Sequence, residues 1–275
     1  MTMRSRRFIT ETLSEVILFL IMVMMMLPIV WLIMMSLKTE ADALEMPPKL
    51  FFVPTFQHYI AVFSTPGMLR ALGNSAFIAS ASLTLALVVG IPAAYGLVRF
   101  NFKLRQPLAI AVLLTRIAPP VGMLIPFYLM YRAAGLLDTY TAMIFAHTGM
   151  NLPIVTWMMM GFFRDVPREL EEAARLDGCS QIEAFWKIVL PVTVNGIVTV
   201  GIIGFLFSWN ELMFATTLTG TTTRTAPAAI SNFLLYQEVK WGPLTAAAVT
   251  VIIPALAFIG FAQKHLLRGL TAGMK

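Results

Sequence analysis

The polar and apolar positions of this chain fall into long blocks rather than short alternations. Nearly uncharged apolar runs cover residues 16–37, 71–98, 106–131, 139–163, 195–217 and 241–263. A helix needs about 20 apolar residues to cross the hydrocarbon of a bilayer, so each run predicts one span and the chain predicts six. Seven prolines (Pro28, Pro92, Pro119, Pro120, Pro126, Pro153, Pro254) fall inside the runs, where membrane helices tolerate them better than soluble ones do. Two runs hold an internal charge, Arg116 and Glu211.

Composition agrees with the blocks. Of 275 residues 58% are hydrophobic and 12% charged, against about 25% charged in a soluble domain. The fold class predicted is an all-α integral membrane protein. Arg4, Arg6 and Arg7 precede the first run, whose 22 residues exceed a signal-peptide core, so it is expected to stay as an uncleaved helix. With the N-terminus inside, the inner segments carry 13 Lys and Arg and the outer ones 6, Arg116 aside. That bias predicts both termini in the cytoplasm. It also accounts for the net charge of +6 without nucleic acid, since no stretch interleaves basic and aromatic residues.

Little points to chemistry. Cys179 is the one cysteine, and His58, His147 and His265 lie far apart, so neither a disulfide nor a metal site is expected. No G-x-x-x-x-G-K-[ST] loop is present, so the chain itself should hold no ATP. No Ser/His/Asp set or carboxylate pair suggests a membrane enzyme. A self-sufficient secondary transporter is a rival reading, weakened by few intramembrane ionisable groups and no inverted repeat.

The inner loop 161–191 is the informative segment. Pro167 suits the first position of a helix, and Glu169, Glu171 and Glu172 suit its positive end. Gly178 suits the left-handed residue after it. Ser180 and Glu183 are spaced as a capping box, and Pro191 redirects the chain before the fifth run. A helix–turn–helix is predicted, with Leu170, Ala173 and Ala174 on one face and Glu172 beside it. Residue physics alone leaves two readings open: a knob for a cytoplasmic partner, or an amphipathic loop packed on the protein's own membrane ends.

The pattern Glu172-Ala173-Ala174-x-x-Asp177-Gly178, followed by Phe185 and Leu190-Pro191, resembles the "EAA" loop of permease subunits of binding-protein-dependent ABC importers. Cys179 stands where that family often has Ala. Gly135-Leu136-Leu137-Asp138-Thr139, Ser208-Trp209-Asn210-Glu211 and the tail Leu267-Arg-Gly269-Leu270-Thr271-Ala-Gly273 extend the likeness to the carbohydrate branch, the one resembling the smaller maltose-transporter permease.

The resemblance implies a type I importer permease fold in a bacterial cytoplasmic membrane. Its five-helix core (71–263) would follow a peripheral first helix (1–37) and an outer loop (38–70), with a cytoplasmic tail (264–275). It implies coupling to an ATPase through Glu172, Ala173, Ala174, Asp177, Gly178, Leu190 and Pro191. It implies a binding-protein contact at Gly220, Thr221, Thr222 and Thr223, as a flexible polar finger in the outer loop 218–240, and a tail (268–275) that reaches into the ATPase pair. The partners implied are a second permease, two ATP-binding cassette subunits that carry the ATP and magnesium, an extracytoplasmic binding protein and lipid.

Arg116 sits about ten residues, or roughly 15 Å, into its run. It either lines the pathway or locks helix packing through an acidic partner or the carbonyls freed by Pro119 and Pro120, and the packing reading is preferred. Asn210 and Glu211 fall near the outer surface, roughly 26 Å along their run, where Glu211 is a gate-lining or interfacial residue. His147 is expected to be a packed histidine rather than a ligand.

Overall fold

The computed structural model describes residues 3–117, 119–234 and 240–272, with side chains described for 12–116, 119–234 and 240–260. The described chain is helical. In order it forms α1 (Met3–Leu37), α2 (Glu40–Leu44), α3 (Gln57–Ser64), α4 (Met68–Arg99), α5 (Arg105–Ile117), α6 (Pro120–Ala133) and α7 (Tyr140–Asp165). Then follow α8 (Arg168–Leu176), α9 (Gln181–Ala184), a π-helical turn (Phe185–Val189), α10 (Leu190–Val192), α11 (Val194–Trp209), α12 (Met213–Leu218), α13 (Ala226–Ile230) and α14 (Trp241–Ala272).

Three of these helices are long and apolar enough to cross a membrane, and five spans result if each of two bent pairs counts as one. Six independent spans are not reached by length and composition. The run 139–163 is the one that falls away: it forms the 26-residue α7, long enough but carrying buried His147, Thr148, Asn151 and Thr156. A helix surrounded by protein can hold hydrogen-bonded polar groups that a lipid-facing helix cannot. Two other runs expected as single helices are broken. The run 106–131 divides into α5 and α6 before Pro119-Pro120, and the run 195–217 ends as α11 at Trp209, resuming as α12.

The chain divides into two compact units. Unit one comprises 1–66 and 230–250. Within it the apolar side chains of α1 from Leu13 to Leu27 stay exposed, as suits a helix wrapped by lipid. Lys38, expected in an exposed outer loop, is 1% exposed. It follows the C-terminus of α1, where a cation is favoured, with its ammonium 5.2 Å from the Trp31 ring and 5.5 Å from that of Phe52. His58 meets the Lys38 carbonyl at 2.8 Å.

Unit two comprises 67–229 and 251–275. Its frame is α4 against α7, with α11 packed on both and α5 on α7. Gly90 lets α4 approach α7, since a Cβ there would lie 2.7 Å from Val155 Cγ1. Gly204 does the same for α11, where a Cβ would lie 2.7 Å from Leu83 Cδ1. One apolar cluster joins Tyr95, Phe163, Phe185 and Val200 near the C-terminal end of α4. A second joins Ile78, Tyr131, Met143, Phe214 and Leu218 near its N-terminal end.

Candidate functional site

The helix–turn–helix expected in 161–191 is present. α8 ends as predicted: Gly178 has φ +93°, and the Cys179 N–H reaches back to the Ala174 carbonyl at 3.0 Å. The capping box is complete, with Glu183 N–H donating to Ser180 Oγ at 3.2 Å and Ser180 N–H to Glu183 Oε2 at 2.9 Å. The hydrogen bond from the Ser180 N–H leads the causes that take the Glu183 pKa down to about 2, with the Ser180 side chain and Lys187 adding to it. Pro167 falls one residue earlier than predicted, as the N-cap of α8.

Beyond α9 the backbone widens into the π-helical turn, where the Leu190 N–H bonds to the Phe185 carbonyl. Pro191, which has no N–H to give, follows immediately. The axis then bends by 73° between 181–192 and 194–209, so Leu190 and Pro191 mark the redirection.

The faces of α8 differ from the expected grouping. Ala174 and Glu171 turn inward, whereas Glu172, Ala173 and Leu176 are exposed. Ala174 therefore does not share an outward face with Leu170 and Ala173, because the inward contact is made by Glu171. This carboxylate, which the sequence marked only as an N-terminal charge, pairs with Arg99 at 2.5 Å and accepts from Tyr95 OH at 2.7 Å. Arg99 also donates to the Val166 carbonyl at 2.7 Å. Phe185 completes the seat, its ring 4.5 Å from that of Tyr95. What remains outside is an open groove of ≈590 Å³ lined by Glu172, Arg175, Leu176, Cys179, Ser180 and Gln181. Asp177 and Gly178 are also exposed. Leu176 is 90% exposed and Trp186 59%.

At the other end of α4 lies the loop that follows α12. It was expected as a flexible finger, but it is tied down. Asp138, held at φ +55°, accepts from the Thr222 N–H at 3.1 Å and from the Thr223 N–H and hydroxyl at 2.9 and 2.7 Å. Asn74 donates to the Thr222 and Arg224 carbonyls at 3.0 and 2.9 Å. Partial burial alone would raise the Asp138 pKa. The Thr223 hydroxyl and the N–H groups of Gly220, Thr223 and Thr222 outweigh it and hold the carboxyl well below its usual range. Thr223 is fully buried, while Thr221 and Thr222 stay exposed. Residues 235–239 of this loop lie outside the described residues, as do the side chains of 264–275.

Asn74 and Arg99 are 25 positions apart on one helix, which is roughly 37 Å at 1.5 Å per residue. That exceeds the ~30 Å hydrocarbon thickness. The groove and the tied loop thus sit at opposite ends of a helix long enough to cross a bilayer.

Arg116 and Glu211 both stand at helix breaks rather than inside continuous helices. Arg116 stands in the last turn of α5, favourable for a cation, with its guanidinium 4.9 Å from the Phe207 ring. It helps line a cavity of ≈210 Å³ with Thr115, Met123, Phe127, Met150 and Phe214. Glu211 lies beyond the end of α11, buried, accepting from the N–H groups of Phe214 and Ala215 at 2.9 and 3.1 Å, so it caps α12. Asn210 is exposed and bonds back to the Leu206 carbonyl at 2.9 Å. His147 is buried, 1% exposed.

Residues 86–271 match the protein family described as "Binding-protein-dependent transport system inner membrane component". The chain is similar to a probable ABC transporter permease protein of Sinorhizobium fredii, 35% identical over 90% of this chain and 88% of the relative. It is similar to a sulfoquinovosyl glycerol transport permease of Agrobacterium fabrum (35%, covering 90% and 87%) and a trehalose transport permease of Mycobacterium tuberculosis (34%, covering 90% and 91%). Among solved structures, its fold is similar to that of a bacterial ABC transporter involved in import of the acidic polysaccharide alginate. The TM-score is 0.76 at 21% identity, covering 96% of this chain and 98% of that one.

Proposed function

The chain belongs to the family of binding-protein-dependent transport system inner membrane components, the permease subunits of ABC importers, and on that footing we propose that it forms half of the pathway of a sugar importer. Support for a sugar or sugar derivative comes from the relatives named for trehalose and sulfoquinovosyl glycerol. A second permease supplies the other half of the pathway, and an extracytoplasmic binding protein delivers the solute to the tied loop at Gly220–Thr223. Two separate ATPase subunits hold the ATP and magnesium. Both termini face the cytoplasm, and the tail 268–275 reaches toward the ATPase pair.

The observation that carries the coupling role is the division of labour on α8. Glu171 fastens the helix to α4 through Arg99 and Tyr95, while Glu172 and Leu176 line an open groove and Ala173 stays exposed. When the ATPase pair closes on ATP, a docked α8 moves with it. The Glu171–Arg99 pair passes that displacement to a helix that reaches the far loop. Alternating access then follows from the different affinities of the nucleotide states for the two conformations.

Glu172→Lys tests the docking. The variant is expected to insert and fold normally but to break the link between ATP hydrolysis and uptake. Uptake and coupled hydrolysis at wild-type levels in that variant would remove Glu172 from the interface.

A further inference from the structure

The interior between the two ends of α4 holds polar groups that neither the coupling groove nor the outer loop uses. His147 and Asn151 lie one turn apart on α7, each 1% exposed. His147 Nδ1 is engaged with Ser208 Oγ at 2.5 Å, and Ser208 meets Ser82 Oγ at 3.2 Å. His147 Nε2 and Asn151 Nδ2 have no hydrogen-bond partner among the described residues. Glu211 Oε2 lies 3.5 Å from His147 Nε2, beyond the usual 2.7–3.2 Å of a hydrogen bond. Leaving a buried polar atom unpaired costs about 1–3 kcal/mol. Two such atoms on adjacent turns, in the interior of a membrane protein, call for a ligand.

Both side chains line a void of ≈10 Å³, together with Arg116 and Glu211. That is about the room one water or one hydroxyl oxygen occupies. The void adjoins the ≈210 Å³ cavity, because Arg116 and Met150 line both. The larger cavity has mainly apolar walls, Phe127 and Phe214 among them. Broad apolar walls with a few convergent polar groups are the usual make-up of a small-molecule site. The break between α5 and α6 beside Arg116 fits as well, since interrupted helices at membrane depth occur where they line a cavity or are buried in protein.

We propose that this subunit contacts the solute directly, through a hydroxyl-recognising subsite formed by His147, Asn151 and Arg116. A sugar ring rests in the larger cavity with its C–H face against Phe127 and Phe214, and one of its hydroxyls enters the void. A hydroxyl both donates and accepts, so it can satisfy the Asn151 amide and either tautomer of His147, while the guanidinium donates to a second oxygen. Glu211 holds α12 in place and stays bonded to Phe214 and Ala215. The subsite rests on the reading that the cargo is a sugar.

The test uses the whole importer with its binding protein, reconstituted in proteoliposomes with internal ATP. Uptake of labelled trehalose and maltose is compared with uptake of their monodeoxy analogues, in wild type, Asn151→Leu and Arg116→Gln. The binding protein is the same throughout, so a change in the parent-to-deoxy ratio reports on this chain alone. At least one position on the ring is expected to lose discrimination by about two- to tenfold, the worth of one hydrogen bond. A purely structural role would scale both uptakes together and leave the ratio unchanged. Wild-type ratios at every position in both variants overturn the subsite and leave the sugar reading standing. Failure of the wild type to carry any of a panel of mono- and disaccharides and sulfoquinovosyl glycerol overturns the sugar reading, and the subsite falls with it. Arg116 is exposed, so its variant gives the ratio even where Asn151→Leu abolishes uptake.

Discussion

Arg99 and Glu171 form a nearly buried ion pair, their side chains 6% and 9% exposed, that joins the C-terminal end of α4 to α8. Removing one partner of such a pair strands the other charge and costs about 3–5 kcal/mol. Glu171→Gln is therefore expected to lower the thermal stability of the detergent-purified complex by several degrees, whereas the neighbouring Glu172→Gln leaves it unchanged. Equal melting temperatures for the two variants would contradict the assignment of opposite faces.

The alanines of the same helix should separate in the same way. Ala174 is 7% exposed, and a larger side chain there overpacks at a cost of about 1–3 kcal/mol. Ala173 is exposed and has room. Ala174→Leu is expected to reduce folded protein in the membrane. Ala173→Leu is expected to leave its amount normal and weaken co-purification of the ATPase subunits. Co-purification at wild-type yield with Ala173→Leu would take that residue out of the docking face.

The outer loop depends on one carboxylate. Asp138→Asn replaces a charged acceptor of three hydrogen bonds from Thr222 and Thr223 with a weaker neutral one, a loss of roughly 1–3 kcal/mol. Trypsin should then cleave after Arg224 several-fold faster in the purified complex. An unchanged cleavage rate would mean that the Asp138 carboxylate does not hold the loop.

The second inner-loop helix should respond to acid. Glu183 has an ordinary pKa of 4.5 that falls to about 2 in the fold. A depressed carboxylate pKa contributes stability fully above the unfolded value and loses it as pH falls toward the folded one. The Ser180–Glu183 cap is thus complete above about pH 4.5 and lost between there and about pH 2. Carboxyl chemical shifts of Glu183 in the detergent-solubilised protein should titrate well below 4.5. A midpoint at or above that value would show the cap to be open.

Much of the inner loop was legible in the sequence because its signals are local. Ser180 and Glu183 three residues apart, Gly178 after a helical run, and Pro191 before a bend each depend on bonds that span at most a few positions. The resemblance carried by Glu172 to Gly178 led to the family that the comparisons show. What stayed hidden depended on distant partners. Glu171 and Glu172 are chemically identical neighbours, and only contacts with Arg99 and Tyr95, 72 and 76 positions away, tell them apart. The breaks after Ile117 and Trp209 could not be distinguished from tolerated irregularities.

Local patterns along the chain thus specify that it is helical and membrane-embedded, where its inner loop turns, and which family it belongs to. Those properties follow from apolar block length, short-range capping and motif spacing. Tertiary contacts set which face of α8 is free, that Asp138 pins the outer loop, and that His147 and Asn151 share a void with Arg116. Each of these depends on contacts between segments far apart in the chain, and no local pattern of residues encodes which side chains will meet.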